Sequence, residues 1–188
     1  MNTEQGRVLL PIARAAIGRA LNLPQQADES AAWLGEHGAC FVTLTQQGEL
    51  RGCIGTLQAH RPLLADVKGN AVAAALHDPR FMPLSRDEFD ITAIEISLLS
   101  PTQPITFRDE IDALTQLRPQ LDGVVFEYQG YRSTFLPQVW EQLPHPQQFM
   151  AQLKRKAGLP DDFWHEEVRL SRYSVTKLRE ADLMEHAQ

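Results

Sequence analysis

The residues able to do chemistry concentrate in one stretch, Leu50-Arg51-Gly52-Cys53-Ile54-Gly55-Thr56-Leu57. Ile, Thr and Leu suit a pleated surface, so the stretch reads as a strand. Residues two apart share a strand face, which predicts Arg51, Cys53, Gly55 and Leu57 on one side and Leu50, Gly52, Ile54 and Thr56 on the other. Guanidinium and thiol would then lie roughly 7 Å apart, and a permanent cation favours the thiolate, the reactive form. Gly52 and Gly55 mark close backbone approach or a bulge. A bare floor at Gly55 would let a small anionic or carbonyl group reach main-chain N–H. Cys53 is therefore a candidate nucleophile or ligand contact; the plainer reading is a small buried residue in a crowded strand.

The other candidates gather around it. Arg51 could hold a carboxylate or phosphate through two hydrogen bonds. It could equally pair with Glu95, which interrupts the apolar run Ile94-Glu95-Ile96; a buried carboxylate could also orient the arginine for binding. Glu95 is the candidate general acid or base, against an ordinary outward-facing strand carboxylate. Asp78 and Arg80 bracket Pro79, either as an ion-paired helix stop or as a substrate-binding loop closing over the Cys53 face. Cys40 has the opposite strand parity and reads as core. His60 and His77, the nearest histidines, read as surface. No metal-ligand spacing, no phosphate-cradling glycine loop and no dinucleotide fingerprint occur, so neither a metal nor a cofactor is expected.

These residues need elements to position them. Residues 4–22 follow the helical period, although Pro11 predicts a kink or a late start. Residues 23–38 read as loop with a helical turn at 29–35. Strands at 39–45 and 50–57 make a hairpin around Gly48. A helix over 62–77 puts Leu63, Val67, Ala71 and Ala74 on its apolar stripe, with Asp66, Lys68 and Asn70 toward water. A strand at 91–99 follows, then a second hairpin at 122–136 and a helix at 146–157 capped by Gly158. On that helix Lys154-Arg155-Lys156 reads as a solvated face. A last strand spans 168–175, and the polar tail after 180 is expected to fray. Hairpin, helix and strand thus occur twice, at about 39–99 and 122–175, in one α+β unit with an N-terminal helix.

Composition bounds the rest. The chain has 188 residues, 43% hydrophobic and 22% charged, with a formal net charge of −6. That balance argues against nucleic acid or an anionic membrane as main partner. No run approaches the ~20 apolar residues of a membrane span. Two cysteines make no disulfide framework and no leader pattern precedes the first helix, so a cytoplasmic protein is expected.

Phe41-Val42-Thr43-Leu44, Leu50-Arg51-Gly52-Cys53-Ile54-Gly55, Asp78-Pro79-Arg80-Phe81, Ile94-Glu95-Ile96-Ser97, Phe135-Leu136-Pro137-Gln138-Val139 and Lys156-Ala157-Gly158-Leu159 stand in one order. In that order the chain resembles the AMMECR family, in the branch called protein A of the AmmeMemoRadiSam system. The resemblance spans residues 5–178 as a single domain. It implies an α+β fold in which two related units form one curved, barrel-like, mostly antiparallel sheet flanked by helices, with a cleft near the Arg-Gly-Cys strand. It also implies a Memo-like protein and a radical SAM protein as partners, and no settled activity. Two functions follow: a small enzyme or enzyme component whose Cys/Arg cleft acts on or binds a small metabolite, or a non-catalytic binding or scaffold partner.

Overall fold

Helix α1 (Thr3–Ala20) continues through Pro11, which lies on its exposed side, where water can reach the carbonyl that proline leaves unpaired. After it come β1 (His37–Gln46), β2 (Glu49–Gly55), β3 (Arg61–Pro62), α2 (Leu63–Leu76), β4 (Ala93–Leu99), β5 (Gln103–Pro104), α3 (Glu110–Gln116), β6 (Gly123–Tyr128), β7 (Tyr131–Phe135), α4 (Pro146–Ala157), β8 (Arg169–Tyr173), β9 (Val175–Arg179) and α5 (Glu180–Glu185). The computed structural model describes residues 3–185. The chain divides into two compact units, Met1–Leu99 with Thr176–Gln188, and Ser100–Val175.

In the first unit the sheet runs β2-β1-β4-β9, with β3 paired to the start of β1. Gln47 and Gly48 both take positive φ, 52° and 81°. That turn matches the twist of the β1–β2 hairpin. Val42, Leu44 and Ile96 are fully buried, packing one sheet face against α1 and α2; each such side chain contributes about 1.5–3 kcal/mol. Gly52 lets α2 come close, because a Cβ there would lie 2.1 Å from the Ala74 carbonyl oxygen.

Asp66 and Asn70 do not face water: they are 0% and 4% exposed. The β1–β2 ladder ends at Phe41–Gly55, so Cys40 has lost its strand partner on that side. Asp66 Oδ2 accepts the Cys40 N–H at 2.9 Å, and the Cys40 carbonyl accepts from Thr56 N and Asn70 Nδ2, both at 3.0 Å. Asp66 Oδ1 also accepts from Thr56 Oγ1 at 2.7 Å and Arg61 Nε at 2.8 Å. The helix thus supplies the groups that a missing strand would have supplied.

The expected last strand is two strands. β8 joins the second sheet and β9 the first, with a break at Ser174. Nor does the tail begin to fray at 180. Glu180 opens α5 and accepts from Arg14 Nε at 2.6 Å, Arg14 Nη2 at 2.8 Å and the Ile94 N–H at 2.9 Å.

In the second unit the sheet order is β5-β8-β6-β7. Its core stacks Trp140 on Phe149 with centroids 3.7 Å apart, beside Val124, Phe126 and Leu153. Gly158 caps α4 at φ 96°, as the sequence predicts. Lys154 is not on a solvated face: its side chain is 1% exposed, paired with Glu110, and its Nζ stands 5.4 Å from the Trp164 ring centroid. The α+β class holds, but the single barrel-like sheet does not. The second hairpin pairs with β8 rather than with any strand of the first sheet, so two open antiparallel sheets form.

Gly52→Ala is expected to destabilise the protein by about 1–3 kcal/mol, the usual cost of overpacking, because the clash is with backbone. Gly35→Ala meets nothing within 4 Å and should stay within about 0.5 kcal/mol of wild type. Urea unfolding of the two variants checks both.

Candidate functional site

β2 has β1 on one side only, so outward N–H and C=O groups along its other edge need partners. At Cys53 the loop after α2 supplies them. Asp78 Oδ2 accepts the Cys53 N–H at 2.9 Å, and Arg80 Nη2 donates to the Cys53 carbonyl at 3.3 Å. Asp78 in turn accepts from Arg80 Nη2 at 2.7 Å, Arg80 Nε at 3.0 Å and the Arg80 N–H at 3.1 Å. The Arg80 hydrogen bonds, followed by that from Cys53, hold the Asp78 carboxyl well below the usual carboxylate range. Asp78 and Arg80 therefore behave as a short surrogate strand that fixes the Cys53 main chain. The thiol lies 3.3 Å from Thr43 Oγ1, on the sheet face turned away from Val42 and Leu44, and is half-buried.

Arg51 and Cys53 take different side-chain partners. The ladder pairs Leu44 with Gly52 and Thr45 with Leu50, leaving Arg51 as an extra residue in a β-bulge. Across the bulge Leu50 lands on the face of Thr45, and the Arg51 side chain pairs with the segment after α2. Nε donates to Glu88 Oε1 at 3.0 Å and Nη2 to Glu88 Oε2 at 3.2 Å. The Phe81 ring is half-buried, with its centroid 6.0 Å from the Arg51 guanidinium carbon and 5.5 Å from that of Arg80. The cation beside Cys53 is thus Arg80 rather than Arg51.

Glu95 is not the partner of Arg51. It accepts from Arg179 Nε at 2.7 Å, with Lys177 Nζ at 3.8 Å, both from β9. It does share a cross-sheet row with the thiol, since Thr43 pairs with Cys53 on one side and with Glu95 on the other. Of the two readings of the glycines, close approach and a ligand floor, the contacts favour the first. Gly52 lies against the Ala74 carbonyl of α2, and a Cβ on Gly55 would lie 2.2 Å from the Phe41 ring. Both are steric necessities, and the ring occupies the expected bare floor.

Glu88 is the residue that sequence reasoning missed. Ser85-Arg86-Asp87-Glu88 is a capping box, with Glu88 Oε2 accepting the Ser85 N–H at 2.8 Å. That S-x-x-E spacing is readable in the sequence. Arg51 first, and the Ser85 N–H second, lower the Glu88 carboxyl from 4.5 to about 2. Cys40 contrasts with Cys53: it is 0% exposed, and burial pushes its thiol up to about 12. Among the described residues no group of three or more His, Cys, Asp or Glu side chains could hold a metal ion, and no helix is long and apolar enough to cross a membrane.

Residues 10–178 match the family model described as AMMECR1. The chain is 33% identical over 187 residues to a protein of Methanothermobacter thermautotrophicus, covering 93% of this chain and 94% of that one. It is 37% identical over 141 residues to a protein of Thermotoga maritima, covering 74% and 76%. Its fold is similar to the crystal structure of an uncharacterised protein of Pyrococcus horikoshii, with TM-score 0.73, 30% identity, and coverage of 93% and 90%.

Because the Glu88 carboxyl is lowered on folding, its contribution to stability is present above its ordinary value of 4.5 and is lost as pH falls toward about 2. Glu88→Gln is therefore expected to be less stable than wild type at pH 7, with the gap narrowing between pH 5 and pH 2. Denaturant midpoints measured across that range check the sign.

Proposed function

Because the chain belongs to the AMMECR1 family, we propose that it is a small cytoplasmic enzyme or enzyme component that holds a carbonyl- or phosphate-bearing metabolite at Cys53. The reading rests on one observation. The Cys53 main chain is gripped at N–H by Asp78 and at C=O by Arg80, while its half-buried thiol keeps a hydroxyl partner in Thr43. A thiol fixed in this way is preorganised, and fixed geometry is what a reacting group needs. Arg80 is 54% exposed along its side chain, so its charge is not sealed from a ligand.

With a carbonyl ligand the chemistry is addition. The sulfur forms a bond to the carbonyl carbon, the π pair moves to oxygen, and the thiol proton ends on that oxygen, so no further reactant is needed. Thr43 hands the proton on or steadies the sulfur, and Glu95 stands next in the same row across the sheet. A phosphate-bearing ligand would be held by Arg80 instead.

The second reading, a non-catalytic partner of Memo-like and radical SAM proteins, draws support from exposed apolar side chains on the segment between α2 and β4. Met82 is 80% and Ile91 65% exposed. Such residues favour a docking role over chemistry.

Iodoacetamide labelling of the native protein, read by mass spectrometry against pH, separates the two. Cys53 should be alkylated and Cys40 should stay unmodified until the protein unfolds. Arg80→Gln should slow alkylation of Cys53 at neutral pH by roughly threefold or more, because the reacting sulfur loses its neighbouring cation. If Cys53 is as inert as Cys40 in the folded protein, the thiol reading fails.

A further inference from the structure

The thiol is one end of a row that crosses the first sheet. Cys53 of β2 pairs with Thr43 of β1, and Thr43 pairs with Glu95 of β4. The next strand is β9. From it Arg179 Nε reaches Glu95 Oε2 at 2.7 Å, and Lys177 Nζ lies 3.8 Å from Glu95 Oε1. These side chains share the face opposite the core, since Val42, Leu44, Ile94, Ile96 and Leu178 occupy the buried one.

The row is open to solvent. The Lys177 side chain is 48% exposed and that of Glu95 23%, while Cys53 and Thr43 are half-buried. Small side chains flank it, the Thr45–Ala93 pair on one side and Ser97 on the other. The Phe41 ring borders the thiol end, against Gly55. An extended molecule can lie across the strands here, from Cys53 over Thr43 to Glu95.

Charge differs between the two ends. Arg80, the cation at the thiol, is matched by Asp78. At the far end two cations meet one carboxylate. Arg179 holds Glu95 at hydrogen-bond distance, and Asp182 of α5 adds a weaker attraction to that arginine. Lys177, at 3.8 Å, stands beyond a hydrogen bond and is the charge left over. Two strand spacings, roughly 10 Å, separate Cys53 from Glu95 and the ammonium beside it. The neutral end suits a carbonyl and the cationic end an anion. Resting on the assignment of Cys53 as the group that meets a carbonyl, we propose that its ligand is an acidic carbonyl compound. Its carbonyl sits at Cys53 and its carboxylate, on an arm of roughly 10 Å, is held by Lys177.

The test is alkylation of Cys53 in the full chain by three haloacetyl reagents, read by mass spectrometry. 6-(Iodoacetamido)hexanoate carries its carboxylate on an arm of roughly 10 Å, the reach of about three extended residues. 6-(Iodoacetamido)hexanamide is its neutral match, and iodoacetamidoacetate holds the charge too close to the reacting carbon to meet Lys177. With each, sulfur bonds to the methylene carbon, iodide leaves and the thiol proton goes to solvent. At low salt the long anion is expected to alkylate Cys53 roughly threefold faster than the long amide, the scale of one exposed ion pair. The short anion should show no such gain. Lys177→Gln should bring the ratio of the two long reagents to about one or below. So should about 1 M salt on the unchanged protein, where screening sets in within roughly 3 Å. Equal rates with the long reagents, a short anion as fast as the long one, or a preference that survives in Lys177→Gln overturns the proposal and leaves the thiol assignment standing. If no reagent alkylates Cys53 in the folded protein, both fall.

Discussion

An edge strand leaves its outer N–H and C=O groups without partners, and the first unit is arranged around the need to answer them. At Cys53 the answer is the Asp78–Arg80 pair, one side chain for each backbone group. At Cys40, where β2 has ended, it is Asp66 and Asn70 from α2. In both places a carboxylate accepts the strand N–H and is itself held by an arginine, Arg80 or Arg61. The same solution at two points of one sheet fixes the main chain beneath the thiol and the entry into the hairpin. Each carboxylate is buried only because its acceptor sites are filled.

The β-bulge decides which residues meet. Strict alternation puts side chains 51 and 53 on one face, and the sequence offers no sign against it except glycines on either side of Cys53. One extra residue in β2, Arg51, falls outside the ladder pairing. The thiol goes to the outer face beside Thr43, and the guanidinium goes to Glu88. Two separate environments result from a motif that reads as one. The motif is compact in sequence for steric reasons: Gly52 admits the Ala74 carbonyl of α2 and Gly55 admits the Phe41 ring.

Most element positions were legible because they rest on local rules. The 3.6-residue period gave α1, α2 and α4, the Gly158 cap gave the end of α4, and alternating apolar residues gave β1 and β4. What was not legible depended on distant partners. Asp66 and Asn70 lie three residues along from Leu63 and Val67, on the edge of the apolar stripe. Only the ended ladder at Cys40 makes buried polar groups favourable there. Lys154 reads as a surface cation until Glu110 and the Trp164 ring are brought to it. The break between β8 and β9 falls at Ser174, with no glycine or proline to mark it. Of the candidate site, Cys53, Asp78 and Arg80 come together as one cluster, whereas Arg51 and Glu95 each find other partners.

The placement of β9 bears on how the chain can be made. Its strand completes the sheet whose other members are synthesised before residue 100, yet the whole second unit is translated in between. Until residues 175–180 leave the ribosome, β4 presents a bare edge and Arg14 lacks its carboxylate. Closing that long sequence separation is an entropic cost met late. A nascent first unit would therefore wait, incomplete and open to strand pairing with other chains, for residues 175–180.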